Sequence, residues 1–440
     1  MDECVARLKD GTLAPWKVED ELQTNFGLIP PQNFKEAAEC RRRLIEEVTG
    51  ESFRYIQVPD NPCKARYRCP QDNLIWELDI RDDYHTCSLC GGDLDPLDQY
   101  AALVANYVGG KEIYFSYAGR IRVKGDIDKV FTNLLVYGTG LGPIGVTRGC
   151  HVINRLGGAE VKVDELARAV RCNGYIFESS DARHQAQAII KANLTQIKED
   201  METYLSEFSG RISRVDFDLV ESNRDHILYI DFVAEFEQFR GHGDISRAVG
   251  FAKAQIEALL KNADIAYDLS VIAQGHDGDL KPSPNNKRGR YAAAEIRIPI
   301  NEFMDTLKVD PGKFLSFIKI DARGAENLGC QFYSGMGGEI IPAVYKATQV
   351  NPQSPLVSSF QYISAEVKNG DLIYRVELPN VEVGIASSRE GLISPVGREA
   401  LRIMGVHTAR EFAACLAAQV LAGEFNLALE ISREKLYSTK

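Results

Sequence analysis

NGYIFESSDARHQAQAIIKANLTQIKEDMETYLSEF, residues 173–208, begins as a short apolar strand and continues as a long run with apolar positions at helical spacing. Beyond residue 208 the period keeps changing. SRVDFDLV (213–220) and HILYIDFVAEF (226–236) alternate apolar and polar residues, as strands with one buried face do. ISRAVGFAKAQIEALL (245–260) returns to helical spacing, and YDLSVIA (267–273) closes with a strand. Strand, helix, strand, strand, helix, strand is the ferredoxin-like order, so residues 173–272 are expected to form a ferredoxin-like domain.

Outward from that unit, the 440 residues leave room for further domains. KEAAECRRRLIEEVTG (35–50) has helical spacing and a terminal glycine, which makes residues 1–58 a helical N-terminal region. HDGDLKPSPNNKRGR (276–290) has almost nothing to bury and predicts a polar loop before the strand YAAAEIRIPI (291–300). The stretch 398–436 reads as two amphipathic helices. A net charge of −11 argues against a broad nucleic-acid or anionic-membrane surface, because both need clustered cations. No apolar run approaches the roughly 18 residues of a membrane span, and MDECVARLKD lacks a signal-peptide core, so a cytoplasmic location is expected.

Residues 59–98 differ in character and predict a zinc-ribbon-like insert. Cys87 and Cys90, in HTCSLCGGDL, have the spacing that lets two thiolates reach one ion. The first knuckle, YRCPQD, supplies Cys69 but has Asp72 where a second cysteine would stand. Cys63 is the expected replacement, with Asp72 and His85 as alternatives. All-sulfur ligation implies a closed structural zinc that folds an insert too small for its own core. Cys150 and Cys330 border glycine-rich turns and are weighed as nucleophiles, but nothing near them in sequence lowers a thiol pKa, which favours buried inert thiols. Lone His242 and His407 carry no visible partner.

VYGTGLGPIGVTRG (136–149) carries five glycines after an apolar run. Its spacing fits neither G-x-G-x-x-G nor a G-K-[ST] ending, so it reads as a glycine-rich turn.

Several stretches together resemble 3-hydroxy-3-methylglutaryl-CoA reductases. PNVEVGIASSREGLISPVGREALRIMGV (379–406) and AACLAAQVLAGEFNLAL (413–429) are similar to that family's EVGTVGGGT…ACLxMLGV…VLAGELSL. RGCHVINRLGG (148–158) resembles RGCxAIxxSGG, with Arg148 and Asn154 at scaffold positions. ELARAV (165–170), GHGDIS (241–246) and KPSPNNKRGRYAAAEIRIP (281–299) come in the family's order. The resemblance implies a large domain (99–172 and 273–440) around the ferredoxin-like small domain, with mixed α+β and α/β character. It also implies a homodimer with an inter-subunit site, NAD(P)H, and a catalytic glutamate, lysine, aspartate and histidine.

Laid on those motifs, the glutamate position holds Thr139, the catalytic-lysine position Leu280, and the aspartate position Asn351. Lys281 matches the neighbouring lysine and serves if the shortened loop shifts by one residue. No histidine comes after His407. In the nucleotide motifs Asp244 is retained, while Arg247 and Arg389 intrude and glycines that permit close backbone approach are lost. Lys281, Asp279 and His276 are then the expected catalytic groups, with Asp277 beside them, and Arg168, Asn351 and Thr139 the expected substrate contacts. Lys287, Arg288 and Arg290 read either as a grip for phosphates or as a basic solvated loop.

The expectation is a repurposed scaffold that binds an acyl thioester on coenzyme A or a carrier protein, or a related anionic metabolite, without the usual hydride chemistry. Alternatives are an NAD(P)H-dependent reductase with relocated groups, and a non-catalytic partner that docks a pathway protein on the zinc module.

Overall fold

The structure is a computed structural model that describes residues 64–69, 71, 73, 75–79, 95–96, 106–108, 111–113, 115–136, 142–209, 212–222, 226–236, 242–273, 288–330, 335–348, 350, 354–383 and 395–433. In chain order its elements begin with β1 (Lys64–Arg68), β2 (Ile75–Asp79), β3 (Asp95–Pro96), β4 (Asn106–Val108), β5 (Lys111–Ile113), β6 (Phe115–Gly125), β7 (Lys129–Val136), α1 (Gly142–Arg155) and β8 (Ala159–Val163). Then come β9 (Ala167–Ile176), α2 (Ser180–Ser209), β10 (Ile212–Ser222), β11 (Ile227–Phe236), α3 (His242–Asn262) and β12 (Leu269–Ala273). The last third holds β13 (Arg290–Pro299), α4 (Ile300–Leu307), α5 (Pro311–Asn327), α6 (Gly337–Thr348), α7 (Ser354–Ser358), β14 (Tyr362–Lys368), β15 (Asp371–Val381), α8 (Pro395–Met404) and α9 (Ala409–Ser432).

From β9 to β12 the chain runs strand, helix, strand, strand, helix, strand, and the sheet order is β10-β11-β9-β12 with every neighbouring pair antiparallel. The core of this unit lies between one sheet face and the two helices, where Phe232 and Ile230 of β11 meet Ile190 and Met201 of α2 and Ala252 and Ile256 of α3. β9 starts at Ala167, six residues before the strand expected at Asn173, because Arg168 already pairs with Glu235 and so extends the ladder.

The second unit is a six-stranded sheet in the order β14-β15-β13-β8-β6-β7, antiparallel except for the parallel pair β6–β8. One face is buried against α9, whose residues Phe412–Phe425 are enclosed on all sides. α9 is therefore not the amphipathic helix that the spacing suggested: its small and apolar residues surround the whole axis, as in a helix sunk in a core. It is long and apolar enough to cross a membrane by composition, yet 89% of that apolar stretch is packed inside protein. Thr408 caps α9 by accepting from Glu411 N at 3.1 Å, while the Glu411 carboxylate accepts from His407 N, one residue before the cap, at 2.7 Å. Burial works against the Glu411 charge, but Lys129 Nζ at 2.8 Å and the His407 amide hold its pKa below the ordinary carboxylate value. Phe314 packs edge-to-face against Phe303, Tyr374 and Phe425, and Tyr374 lies tilted on Phe425, where α4, α5, β15 and α9 meet.

Candidate functional site

Several elements are tied together at Glu382, just past the end of β15. Arg288 Nε donates to Glu382 Oε1 at 2.7 Å, and the two side chains are only 3% and 16% exposed. Glu382 N donates to Ser358 Oγ at 3.1 Å, and the Tyr345 hydroxyl donates to Glu382 O while lying 3.0 Å from Ser358 Oγ. Burial pushes the Tyr345 phenol far above its ordinary pKa, the Ser358 contact opposing it, so it stays a neutral donor. Gly289 adopts φ +78, and a Cβ there would lie 2.6 Å from Val381 O. Glycine is needed at this point, for the backbone angle and for the close approach to β15.

This geometry corrects the reading of Arg288 and Arg290 as members of a solvated basic loop or a phosphate grip. Both are buried, Arg288 against Glu382 and Arg290 at 4% exposure. Arg290 Nη1 donates to Asp164 O at 3.1 Å and to Glu165 O, and burial with neighbouring Arg410 lowers its pKa. Lys287 lies outside the described residues.

Arg168, expected to contact substrate, sits at the start of β9 and is half-buried. Its Nη2 donates to Pro379 O at 3.2 Å and lies 3.8 Å from Asp164 Oδ2, and its Nε reaches Gly289 O at 3.5 Å. These contacts hold strands together. Asp244 falls within α3, with its side chain outside the described residues; Arg247, three positions on, is exposed. Thr139, His276, Asp277, Asp279, Lys281, Asn351 and Arg389 lie outside the described residues. His242 opens α3 and His407 is exposed beside the α9 cap.

The glycine-rich stretch is mostly helix. α1 begins at Gly142, so Gly142, Gly145 and Gly149 are helical, not part of a turn. Gly149 faces α9, where a Cβ would lie 2.5 Å from the Ala422 carbonyl carbon. Gly423, on the opposing helix, is crowded by side chains instead, first Ile340 Cδ1 of α6 and then Val146 Cγ2 at 3.3 Å. Gly149 thus allows two helix backbones to touch. Asn154, at the end of α1, braces β6 by accepting from Arg122 N at 2.9 Å and donating to Arg120 O at 2.7 Å, which is a scaffold role.

Sequence reasoning missed Glu424. It is 1% exposed in the middle of α9, accepting from Gly337 N at 2.8 Å and Gln361 Nε2 at 2.9 Å. Burial, opposed by those donors, raises its pKa. A single carboxylate in the otherwise apolar run AACLAAQVLAGEFNLAL was the available signal. It caps the N-terminus of α6, satisfying a backbone donor that a helix start leaves open.

Of the two thiols, Cys150 is buried, and burial pushes its pKa up to about 12 although Asn133 donates to its Sγ at 3.1 Å. Cys330 is exposed, against the expectation of a buried thiol, because it comes just after the solvent-facing end of α5. Of the expected zinc ligands only Cys69 is described. It is buried, and its carbonyl accepts from Asn73 N at 2.9 Å in the tight turn leading to β2. Asn73 has φ 60 there. Among the described residues no three metal-ligating side chains gather, while Cys63, Asp72, His85, Cys87 and Cys90 lie outside them. An open groove of about 300 Å³ on the outer face of β13, β15 and β14 is lined by Glu295, Arg297, Glu366, Arg375 and Glu377, and holds none of the expected site residues. The described residues therefore supply a braced scaffold, with Glu424 buried in its central helix.

Comparison with known proteins bears on this scaffold. The family model described as hydroxymethylglutaryl-coenzyme A reductase matches residues 85–439. A 3-hydroxy-3-methylglutaryl-coenzyme A reductase of Methanothermobacter thermautotrophicus is 27% identical over 362 residues, covering 77% of this chain and 86% of the relative. One from Methanocaldococcus jannaschii is 24% identical over 440 residues, covering 97% and 95%. Among solved structures, the 3-hydroxy-3-methylglutaryl-coenzyme A reductase of Streptococcus pneumoniae superposes with a TM-score of 0.55 at 15% identity, covering 76% of this chain and 87% of that one. The class II enzyme of the same organism, bound to NADPH in open conformations, gives 0.54 at 13% identity, covering 75% and 87%.

Proposed function

The chain belongs to the hydroxymethylglutaryl-coenzyme A reductase family, and from that premise we propose that it is a repurposed member: it binds an acyl thioester or a related anionic metabolite without the standard hydride transfer. The observation that carries this reading is the contrast between scaffold and reacting positions. Arg288, Glu382 and Asn154, which lie in stretches that resemble the family, form close, buried or bracing contacts. Thr139, Leu280 and Asn351 stand where the resemblance expects the glutamate, lysine and aspartate. Reducing a thioester requires acids to protonate the oxyanion and the leaving thiolate, and a threonine hydroxyl is far too weak an acid for that.

A second reading, an NAD(P)H-dependent reductase with relocated groups, is favoured by one specific observation: Asp244 is kept on α3. One titration separates the two. Purified protein is mixed with 3-hydroxy-3-methylglutaryl-CoA, and binding is followed by calorimetry and turnover by loss of NADPH absorbance. We expect saturable thioester binding without NADPH consumption; sustained thioester-dependent oxidation of NADPH overturns the first reading in favour of the second.

In the same reading the β9–β12 unit is the ferredoxin-like small domain and residues 59–98 form a structural zinc insert, held by Cys69, Cys87, Cys90 and Cys63, with Asp72 and His85 as alternatives to Cys63. The tight turn after Cys69 suits a metal knuckle. We further read the chain as a cytoplasmic homodimer with its site between subunits. Metal analysis of the purified protein should give one zinc per chain, lost in a Cys87→Ser, Cys90→Ser double variant.

A further inference from the structure

The two units have separate cores: the residues packed around β9–β12 form one cluster and those around α9 another. The chain passes between them twice, from β8 to β9 and from β12 to β13. These passages run side by side. Arg168 N donates to Gly289 O and Gly289 N donates to Arg168 O, both at 2.9 Å, as an isolated antiparallel bridge. Two independently packed bodies joined at one paired crossing have the form of a hinge.

On the large-unit side the first crossing is gripped almost atom by atom. Val163 N donates to Asp126 Oδ2 at 2.9 Å, and Val163 O accepts from Arg410 at 3.4 Å. Asp164 N donates to Tyr291 O at 3.0 Å, and Tyr291 N to Asp164 Oδ2 at 3.3 Å. Arg290, buried, forks onto the carbonyls of Asp164 and Glu165. Beyond Glu165 the grip stops until Arg168, whose guanidinium reaches Pro379 O on β15. Arg288, adjoining Gly289, is held by Glu382.

We propose that the Arg168–Gly289 crossing is the pivot between the two units, and that Arg290 and Arg168 are positioning residues that fix its angle. Arg290 immobilises the incoming strand as far as Glu165, and Ala167 already pairs with Phe236 in the β9–β11 ladder, so bending is concentrated at Leu166 between them. Arg168 sets how far β9 can swing from β15. A guanidinium suits this task because the two N–H groups of Nη1 are fixed in one plane and reach both carbonyls in a set geometry, whereas a lysine ammonium turns freely on a flexible stem.

The test measures the distance between the units directly. Spin labels are placed at exposed Lys191 on α2 and Lys319 on α5 through a non-canonical amino acid, which leaves the native thiols untouched. Pulsed electron resonance should give one narrow distance in the parent protein. Arg290→Ala and Arg168→Ala should broaden it, while Arg297→Ala, an exposed arginine on the same strand as Arg290, should not. Amide exchange at Arg168 and Gly289 should accelerate about tenfold or more in the first two, the scale of losing one hydrogen bond to a charged donor. If Arg290→Ala does not fold, Arg290→Lys is held to the same criteria. Distances as narrow as the parent's in the Arg290 and Arg168 variants, or equal broadening in Arg297→Ala, overturn the proposal.

Discussion

Replacing Gly149 by alanine adds one methyl group at the crossing of α1 and α9, and the structure dictates what that methyl meets. Its carbon would lie 2.5 Å from the Ala422 carbonyl carbon and 3.0 Å from Ala422 Cα, with the carbonyl oxygen nearer still. Relaxed carbon contacts begin at about 3.5 Å, so the shortfall is about 1 Å. The obstacle is backbone inside a helix that is enclosed on all sides, which leaves no side chain to rotate away. Overpacking of this kind costs about 1–3 kcal/mol, and the rigidity places Gly149→Ala toward the upper end. Alanine recovers up to about 1 kcal/mol of helix propensity, leaving a net loss of about 2 kcal/mol. Gly145 is the internal comparison. It lies one turn earlier in α1, and its added methyl would find only Met336 Cε at 3.4 Å and Asn426 Nδ2 at 3.7 Å, both ends of flexible side chains. Gly145→Ala should therefore be neutral or gain about 0.5–1 kcal/mol. Urea titrations of the two variants, followed by far-ultraviolet circular dichroism and compared at a common m value, give the difference. Equal midpoints, or a Gly149→Ala variant as stable as the parent, would refute the claim that backbone contact is why glycine stands there.

Other consequences are open to direct measurement. Arg288→Ala leaves Glu382 charged and nearly buried, and should cost about 3–5 kcal/mol; Arg288→Ala combined with Glu382→Ala should cost less than the sum of the single changes, as a double-mutant cycle will show. Iodoacetamide at mildly alkaline pH should modify Cys330 promptly and Cys150 only upon unfolding, since the latter is buried with its pKa pushed up to about 12; mass-mapped labelling kinetics decide this. Glu424 has its pKa raised above 4.5, so the folded state retains a proton that the unfolded state releases, and its contribution to stability falls as pH climbs from about 4.5 toward the folded pKa. Glu424→Gln removes that dependence, so the parent should lose ground to the variant between acidic and neutral pH in paired denaturation midpoints.

Much of this architecture was legible because it rests on local periodicity. The alternation of HILYIDFVAEF and the helical spacing of ISRAVGFAKAQIEALL do not depend on distant partners, and β11 and α3 stand where those patterns put them. Misreadings arose where a distant residue decides. Gly142, Gly145 and Gly149 looked like turn glycines, but Gly149 is explained by Ala422, near the other end of the chain. Arg288 and Arg290 looked solvated because KRGR adjoins a polar stretch, while the groups that bury them, Glu382 and the carbonyls of Asp164 and Glu165, lie far off in sequence. AACLAAQVLAG read as amphipathic because small residues score weakly as apolar, yet alanine and glycine are what let sheet and helices close around α9. Glu424 went unnoticed since a lone carboxylate in a helix usually faces water, and only the fold shows the Gly337 amide it caps.

The hydrogen-bonded meeting of Arg168 and Gly289 also means that the β9–β12 unit begins and ends at one place. Neighbouring strands sit roughly 5 Å apart, so cutting the chain at both residues would leave loose ends that a tight turn could rejoin. A segment whose entrance and exit touch behaves as a cassette: it can be gained, lost or exchanged without threading the rest of the molecule anew.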